Sequence, residues 1–158
     1  MKILVVEDSR FLRAAIERTL GKAGHEVTST ADGREALLAA RHSLPALILL
    51  DMMLPGLEGT CVLKELKKDA STSHIPVIVL TGLSKTNETK LKNAGAAAYI
   101  EKSSLDLGKN ADLLVQTVAS ILGTSEGLAA HRGQQSPVTA DAETAATKVG
   151  VGGQGGVA

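Results

Sequence analysis

The chain has 158 residues, 44% hydrophobic but only 1% aromatic, with 17 basic and 17 acidic side chains and a formal net charge of zero. That length supplies one core rather than two ordinary ones, and balanced charge without a dense Lys/Arg run gives no footing for nucleic-acid binding through a broad electrostatic patch. A single cysteine, Cys61, excludes an intramolecular disulfide and reads as a small buried hydrophobe, while no apolar run is long enough for a signal peptide or a membrane span, so a cytoplasmic setting is expected.

Ile3 to Val6 is a compact apolar run that stops at two acids, Glu7 and Asp8. Phe11, Leu12, Ala15, Ile16, Thr19 and Leu20 then recur at three- and four-residue spacing, which predicts a helix over Ser9–Ala23 with these residues on its buried face. His25–Ser29 reads as a short strand, Asp32-Gly33 as a turn or cap, and Arg34–His42 as a helix with Ala36, Leu37 and Ala40 inward. After Pro45, Ala46–Leu50 forms a strand of continuous apolar residues that ends on Asp51.

Thr60–Lys68 is the third helix, with Val62, Leu63 and Leu66 on one side. Ile75–Leu80 is the fourth strand, ending at Thr81-Gly82, and Thr86–Asn93 is a polar helix with Leu91 its main apolar residue. Ala97–Ile100 is the fifth strand and delivers Lys102 just past its end, before a final helix over Lys109–Leu122. From Thr124 to Ala158 the chain is Gly/Ala-rich with few large aliphatics and cannot offset its chain entropy by burial, so residues 124–158 are expected to be a flexible tail behind a domain of residues 1–123, with no effector domain.

Five strand-helix units with short apolar strands predict an α/β fold, a doubly wound five-stranded parallel sheet with helices on both faces. The ligand site of such a sheet lies beyond the carboxyl ends of its strands, where Glu7, Asp8, Asp51, Thr81 and Lys102 fall. Three carboxylates there repel one another unless positive charge sits between them, and a hard divalent cation such as Mg2+ or a lysine suits. Phosphoryl transfer fits that set, with Asp51 attacking phosphorus, metal and Lys102 neutralising the equatorial oxygens, and the Thr81 hydroxyl donating a hydrogen bond. Taken alone, Asp51 reads equally as a helix cap or turn former, and each other residue has a bland reading beside the functional one: Glu7 and Asp8 as caps of the first helix, Thr81 as a strand-end turn former and Lys102 as a solvated lysine. The four histidines are scattered and none is read as a ligand or phosphate carrier.

The acidic pair after strand one, the Asp after strand three, the Thr-Gly after strand four and the Lys after strand five resemble, over residues 1–123, the receiver domain of two-component response regulators, of the single-domain chemotaxis-regulator kind. The resemblance implies a flavodoxin-like receiver fold in which Glu7, Asp8, Asp51 and the Met53 carbonyl hold Mg2+. It implies that Asp51 accepts a phosphoryl group from a sensor histidine kinase or histidine phosphotransfer protein, with Thr81 and Lys102 contacting that group and Thr81 and Tyr99 forming the switch; Tyr99 reads equally as a residue packed at the sheet edge. The output is then contact with a protein the sequence does not name, without DNA or membrane binding and without enzymatic turnover beyond self-catalysed transfer and dephosphorylation.

Two departures from the family pattern stand out. Lys102 is followed by Ser103 where the family usually has a cis proline, and a cis bond before a non-proline residue costs roughly 2.5–4 kcal/mol against about 0.5–1 for proline. The loop Ser103–Gly108 is therefore expected to hold the lysine differently. Met53 and Leu83, two residues past Asp51 and Thr81, are apolar, which predicts slow loss of the phosphoryl group. The alternatives are a non-switching receiver-like interaction module, favoured only by Ser103; an aspartyl phosphatase, which would want an Asp where Met53 stands; and a flavin carrier, whose phosphate loop is incompatible with Glu7-Asp8.

Overall fold

A computed structural model describes residues 1–82, 88–105, 108–109 and 111–130. The elements are β1 (Lys2–Val6), α1 (Arg10–Lys22), β2 (Glu26–Thr30), α2 (Gly33–Ser43), β3 (Leu47–Asp51), α3 (Gly59–Lys68), β4 (Val77–Thr81), α4 (Glu88–Asn93), β5 (Ala98–Glu101) and α5 (Ala111–Ala130). All four strand pairings are parallel and the order is β2-β1-β3-β4-β5. This is the expected doubly wound, flavodoxin-like sheet, and its strand order reverses direction between β1 and β3.

Period-two alternation along the strands divides the core. Leu4, Val6, Ile48, Leu50, Val77, Val79 and Tyr99 face α2, α3 and α4, whereas Ile3, Val5, Leu47, Leu49, Ile78, Leu80 and Ile100 face α1 and α5. Both faces of β3 and β4 are covered, so every residue of these strands is buried, and each fully buried Leu or Ile contributes roughly 1.5–3 kcal/mol. The edge strand β2 has no buried residue. Its register, Lys2 opposite Glu26 through Val6 opposite Thr30, sets its limits one residue later than hydropathy predicts.

Helix starts follow local chemistry. The Ser9 hydroxyl accepts the Leu12 N–H at 3.3 Å and caps α1, and one Asp32 carboxylate oxygen accepts the Arg34 and Glu35 N–H groups and caps α2. Within α2, Ala36 and Ala40 are buried and Leu37 is half-buried.

Two expected core residues are not in the core. Phe11 is 86% exposed, because the stripe Leu12, Ile16, Leu20 takes the inward side of α1 and leaves Phe11 on the rim of a groove of about 750 Å³ between α1 and α5. Cys61 is exposed, because Val62, Leu63 and Leu66 turn inward and rotate it to the solvent side of α3. The fourth helix is described from Glu88, and the expectation for Thr86 lies outside the described residues. Helix α5 continues past its expected end at Leu122 to Ala130, so the boundary at Gly123 falls inside a helix; Glu126, Leu128, Ala129 and Ala130 are good helix formers. The remainder of the expected tail, residues 131–158, lies outside the described residues.

Among the described glycines, the closest approach to neighbouring backbone lies under the strand-end acids. Gly59 opens α3, donates its N–H to the Met52 carbonyl at 3.1 Å, and lies so close to β3 that an added Cβ would overlap the Asp51 carbonyl oxygen and sit 2.5 Å from Met52 Cα. Both obstacles are backbone and cannot rotate away. Gly59→Ala is expected to cost about 1–3 kcal/mol and to shift Asp51, measured as a lower urea midpoint.

Candidate functional site

Glu7, Asp8, Asp51 and Lys102 come together at the carboxyl end of the sheet, where β1 and β3 part to opposite windings. Crossover connections leave in opposite directions there, which opens a crevice above the two strands. Backbone pairing carries Glu7 to its place: its N–H donates to the Thr30 carbonyl at 3.1 Å, extending the ladder one step beyond β1. Its carbonyl accepts Arg13 Nη1 at 2.7 Å. Its side chain is fully buried, and Oε1 accepts the Ser9 N–H at 3.1 Å.

Asp51 is the last residue of β3 and is also fully buried. Oδ1 accepts the Met53 N–H at 3.0 Å, which locks the carboxylate against the turn that follows. Positive φ at Gly56 (82°) shapes that turn after Pro55. Lys102 Nζ lies 2.9 Å from Asp51 Oδ2, 3.1 Å from Glu7 Oε2 and 3.3 Å from Glu7 Oε1. Ser103 does not prevent this reach; Lys102–Ser104 forms a single 3-10 turn, and no peptide bond among the described residues is cis.

Asp8 is the exposed member of the group, and one carboxylate oxygen from each of Glu7, Asp8 and Asp51 lies within 4.8 Å of the others. Glu7 Oε2 and Asp51 Oδ2 are buried, and among the described residues the Lys102 ammonium is the one group seen within reach of both. One ammonium thus contacts two of three clustered carboxylates. Burial pushes the Glu7 carboxyl up to about 7, opposed by the Ser9 N–H and helped by the nearby charge of Asp51. Burial works against the Lys102 charge, but hydrogen bonds to Asp51 and Glu7 and their charges outweigh it and raise its pKa. Two buried carboxylates that share one ammonium, beside a third, exposed carboxylate, fit a hard divalent cation with oxygen ligands and bound waters.

A stability consequence follows for the metal-free chain. Glu7 has a folded pKa of about 7 against an ordinary 4.5, so the folded state holds its proton more tightly than the unfolded one. The stabilisation is complete below about pH 4.5 and is lost as pH rises through 7, a change on the order of 3 kcal/mol from this group. A divalent cation held by these acids would displace the same proton, so the rise in melting temperature on adding Mg2+ is expected to be larger at pH 8 than at pH 6. A scan at both values, with and without chelator, measures it.

Thr81 is the buried last residue of β4, level with Glu101 at the end of β5. Tyr99 is buried on β5, the edge strand of the sheet, where it pairs with Val79 and packs in the cluster that holds Leu91 and Ala96, as its reading as a residue packed at the sheet edge expects. Met53 is 67% exposed and lines a groove of about 540 Å³ with Asp8, Leu54, Glu58, Lys90 and Leu91. Leu83 lies outside the described residues. Sequence reasoning missed three residues that hold the site, Ser9, Arg13 and Gly59. A serine ahead of a periodic run signals a cap; nothing in the sequence signals the other two.

Residues 3–112 match the family model described as the response regulator receiver domain. The polar-differentiation response regulator DivK of Brucella anthropi is 34% identical over 122 residues, covering 77% of this chain and 95% of that protein. The probable transcriptional regulator ycf27 of Porphyridium aerugineum is 42% identical over 103 residues, but these span only 41% of its length. Among solved structures, the receiver domain of sensor histidine kinase PA1611 from Pseudomonas aeruginosa, with a magnesium ion coordinated in its active-site cleft, is 28% identical with a TM-score of 0.67, over 77% of this chain and 97% of that one.

Proposed function

The chain belongs to the response regulator receiver family, and from its site we propose that Asp51 accepts a phosphoryl group from a sensor histidine kinase or a histidine phosphotransfer protein in a Mg2+-dependent reaction. The observation that carries this reading is the buried Asp51 carboxylate held between the Met53 N–H and the Lys102 ammonium, beside Glu7 and Asp8. A carboxylate oxygen of Asp51 forms the new bond to phosphorus as the phosphorus–nitrogen bond of phosphohistidine breaks, and the imidazole leaves with the electron pair. The Met53 N–H orients the nucleophile, and Lys102 balances charge on the phosphoryl oxygens. Glu7, Asp8, Asp51 and the Met53 carbonyl would hold Mg2+, which when bound neutralises charge on the transferring group.

Thr81 contacts the phosphoryl group, and Thr81 with Tyr99 forms the switch that changes a protein-binding surface. Phosphorylation biases two arrangements by binding one of them better. Tyr99 lies against α4 residues in the core, so its displacement would reach that surface. The protein is a signalling phosphoacceptor without turnover beyond its own transfer and dephosphorylation, which the apolar Met53 makes slow. It acts in the cytoplasm on a protein target; among the described residues no helix is long and apolar enough to cross a membrane. The second reading is a non-switching receiver-like interaction module, to which Ser103 after Lys102 lends weight.

Incubation with a small acyl phosphate and Mg2+, followed by intact mass measurement, tests the proposal. The expected result is a gain of one phosphoryl group that disappears with chelator. No gain, or an equal gain with chelator, would sink it.

A further inference from the structure

The structure assigns Arg13 a role outside the phosphoacceptor chemistry: we propose that it is a positioning residue that fixes the Glu7–Asp8 peptide and thereby aims the Asp8 carboxylate at the metal position. Arg13 sits in the first turn of α1, its N–H bonded to the Ser9 carbonyl at 2.9 Å. A cation there opposes the helix dipole, which favours negative charge at this end, so helix stability does not explain it. Helical side chains lean toward the amino end over the preceding turn. Arg13 accordingly reaches back to the Glu7 carbonyl at 2.7 Å, the shortest contact made by that residue.

That carbonyl belongs to the peptide that carries the Asp8 nitrogen. Glu7 is held at its N–H by Thr30 and at its side chain by Ser9 and Lys102, while no side-chain hydrogen bond fixes Asp8 among the described residues. The peptide plane between the two acids is thus the free hinge of the site, and the guanidinium is what closes it. Because the carbonyl is uncharged, the bond does not spend the charge of Glu7, which stays available to Lys102. An outer residue that orients a ligand in this manner changes metal affinity about 10–100-fold when removed.

The inference rests on reading the acids as a Mg2+ centre, and the test separates the two. Calorimetric Mg2+ titration of Arg13→Met is expected to show at least about tenfold weaker binding; Arg13→Lys, which keeps a donor and the charge, recovers part of it. In an Asp8→Asn background the Arg13→Met change should add little, since Arg13 acts through Asp8. In the metal-free chain, hydrogen exchange should quicken at the Asp8 and Ser9 amides and not in β3 or β4. Unchanged Mg2+ affinity in Arg13→Met, full additivity with Asp8→Asn, or faster exchange spread evenly over the sheet would each overturn the positioning role. Failure of the parent chain to bind Mg2+ would overturn the metal centre, and this role with it.

Discussion

Asp51→Asn is expected to abolish the magnesium-dependent phosphoryl gain completely and, in the metal-free chain at pH 8, to stabilise the fold rather than weaken it. Both effects come from one change. The amide keeps the shape of the side chain and an oxygen for the Met53 N–H, now 3.0 Å from Oδ1, but it cannot attack phosphorus as a carboxylate does. It also removes the like charge that adds to the burial of Glu7, leaving Lys102 and Glu7 as a matched pair at 3.1 Å. The gain should be on the order of 1 kcal/mol, read as a higher urea midpoint. A variant that still takes up phosphoryl would place the nucleophile elsewhere, and one that is destabilised at pH 8 would contradict the electrostatic account of the site.

Lys102→Met should move stability the other way. Among the described residues its ammonium is the sole charge partner within 3.3 Å of two fully buried carboxylates, and removing one member of a buried ion network costs about 3–5 kcal/mol in general. The side chain of Lys102 is 27% exposed, which places the expected loss near the lower end, about 3 kcal/mol at pH 8. Acidification should shrink the loss as Glu7 takes a proton, and Mg2+ should recover much of it by supplying the missing positive charge. Phosphoryl uptake should persist with metal but slow by up to about 100-fold. A loss that Mg2+ leaves untouched would mean that the lysine only packs there.

How far the sequence reaches is clearest at β3 and Phe11. The run Leu47 to Leu50 is legible as a strand because a strand covered on both faces needs apolar residues throughout, and the acid that ends it is legible because crossovers put every strand end on one side. The edge strand β2 has only Val27 to mark it, so its ends are set by pairing with β1. Phe11 is aromatic at helical spacing, yet the inward stripe of α1 passes beside it, and only the three-dimensional packing decides which of two adjacent residues turns in.

The site divides in the same way. Glu7, Asp8, Asp51 and Lys102 are legible as a set because charges at strand ends must compensate one another. The holding contacts are not: Arg13 serves through a backbone carbonyl, and Gly59 matters for a close approach of two backbones that no residue type announces. The buried place of Tyr99 depends on which face of β5 it takes, and a strand with apolar residues on both sides carries no signal of that choice.

Borohydride reduction of the phosphorylated chain, followed by peptide mass spectrometry, tests the assignment of Asp51 most directly, because an aspartyl phosphate is reduced to homoserine while an unmodified carboxylate is not. The predicted result is homoserine at position 51 alone, in a peptide that spans the end of β3. Homoserine at position 8, or phosphoryl retained on any other side chain, would contradict it.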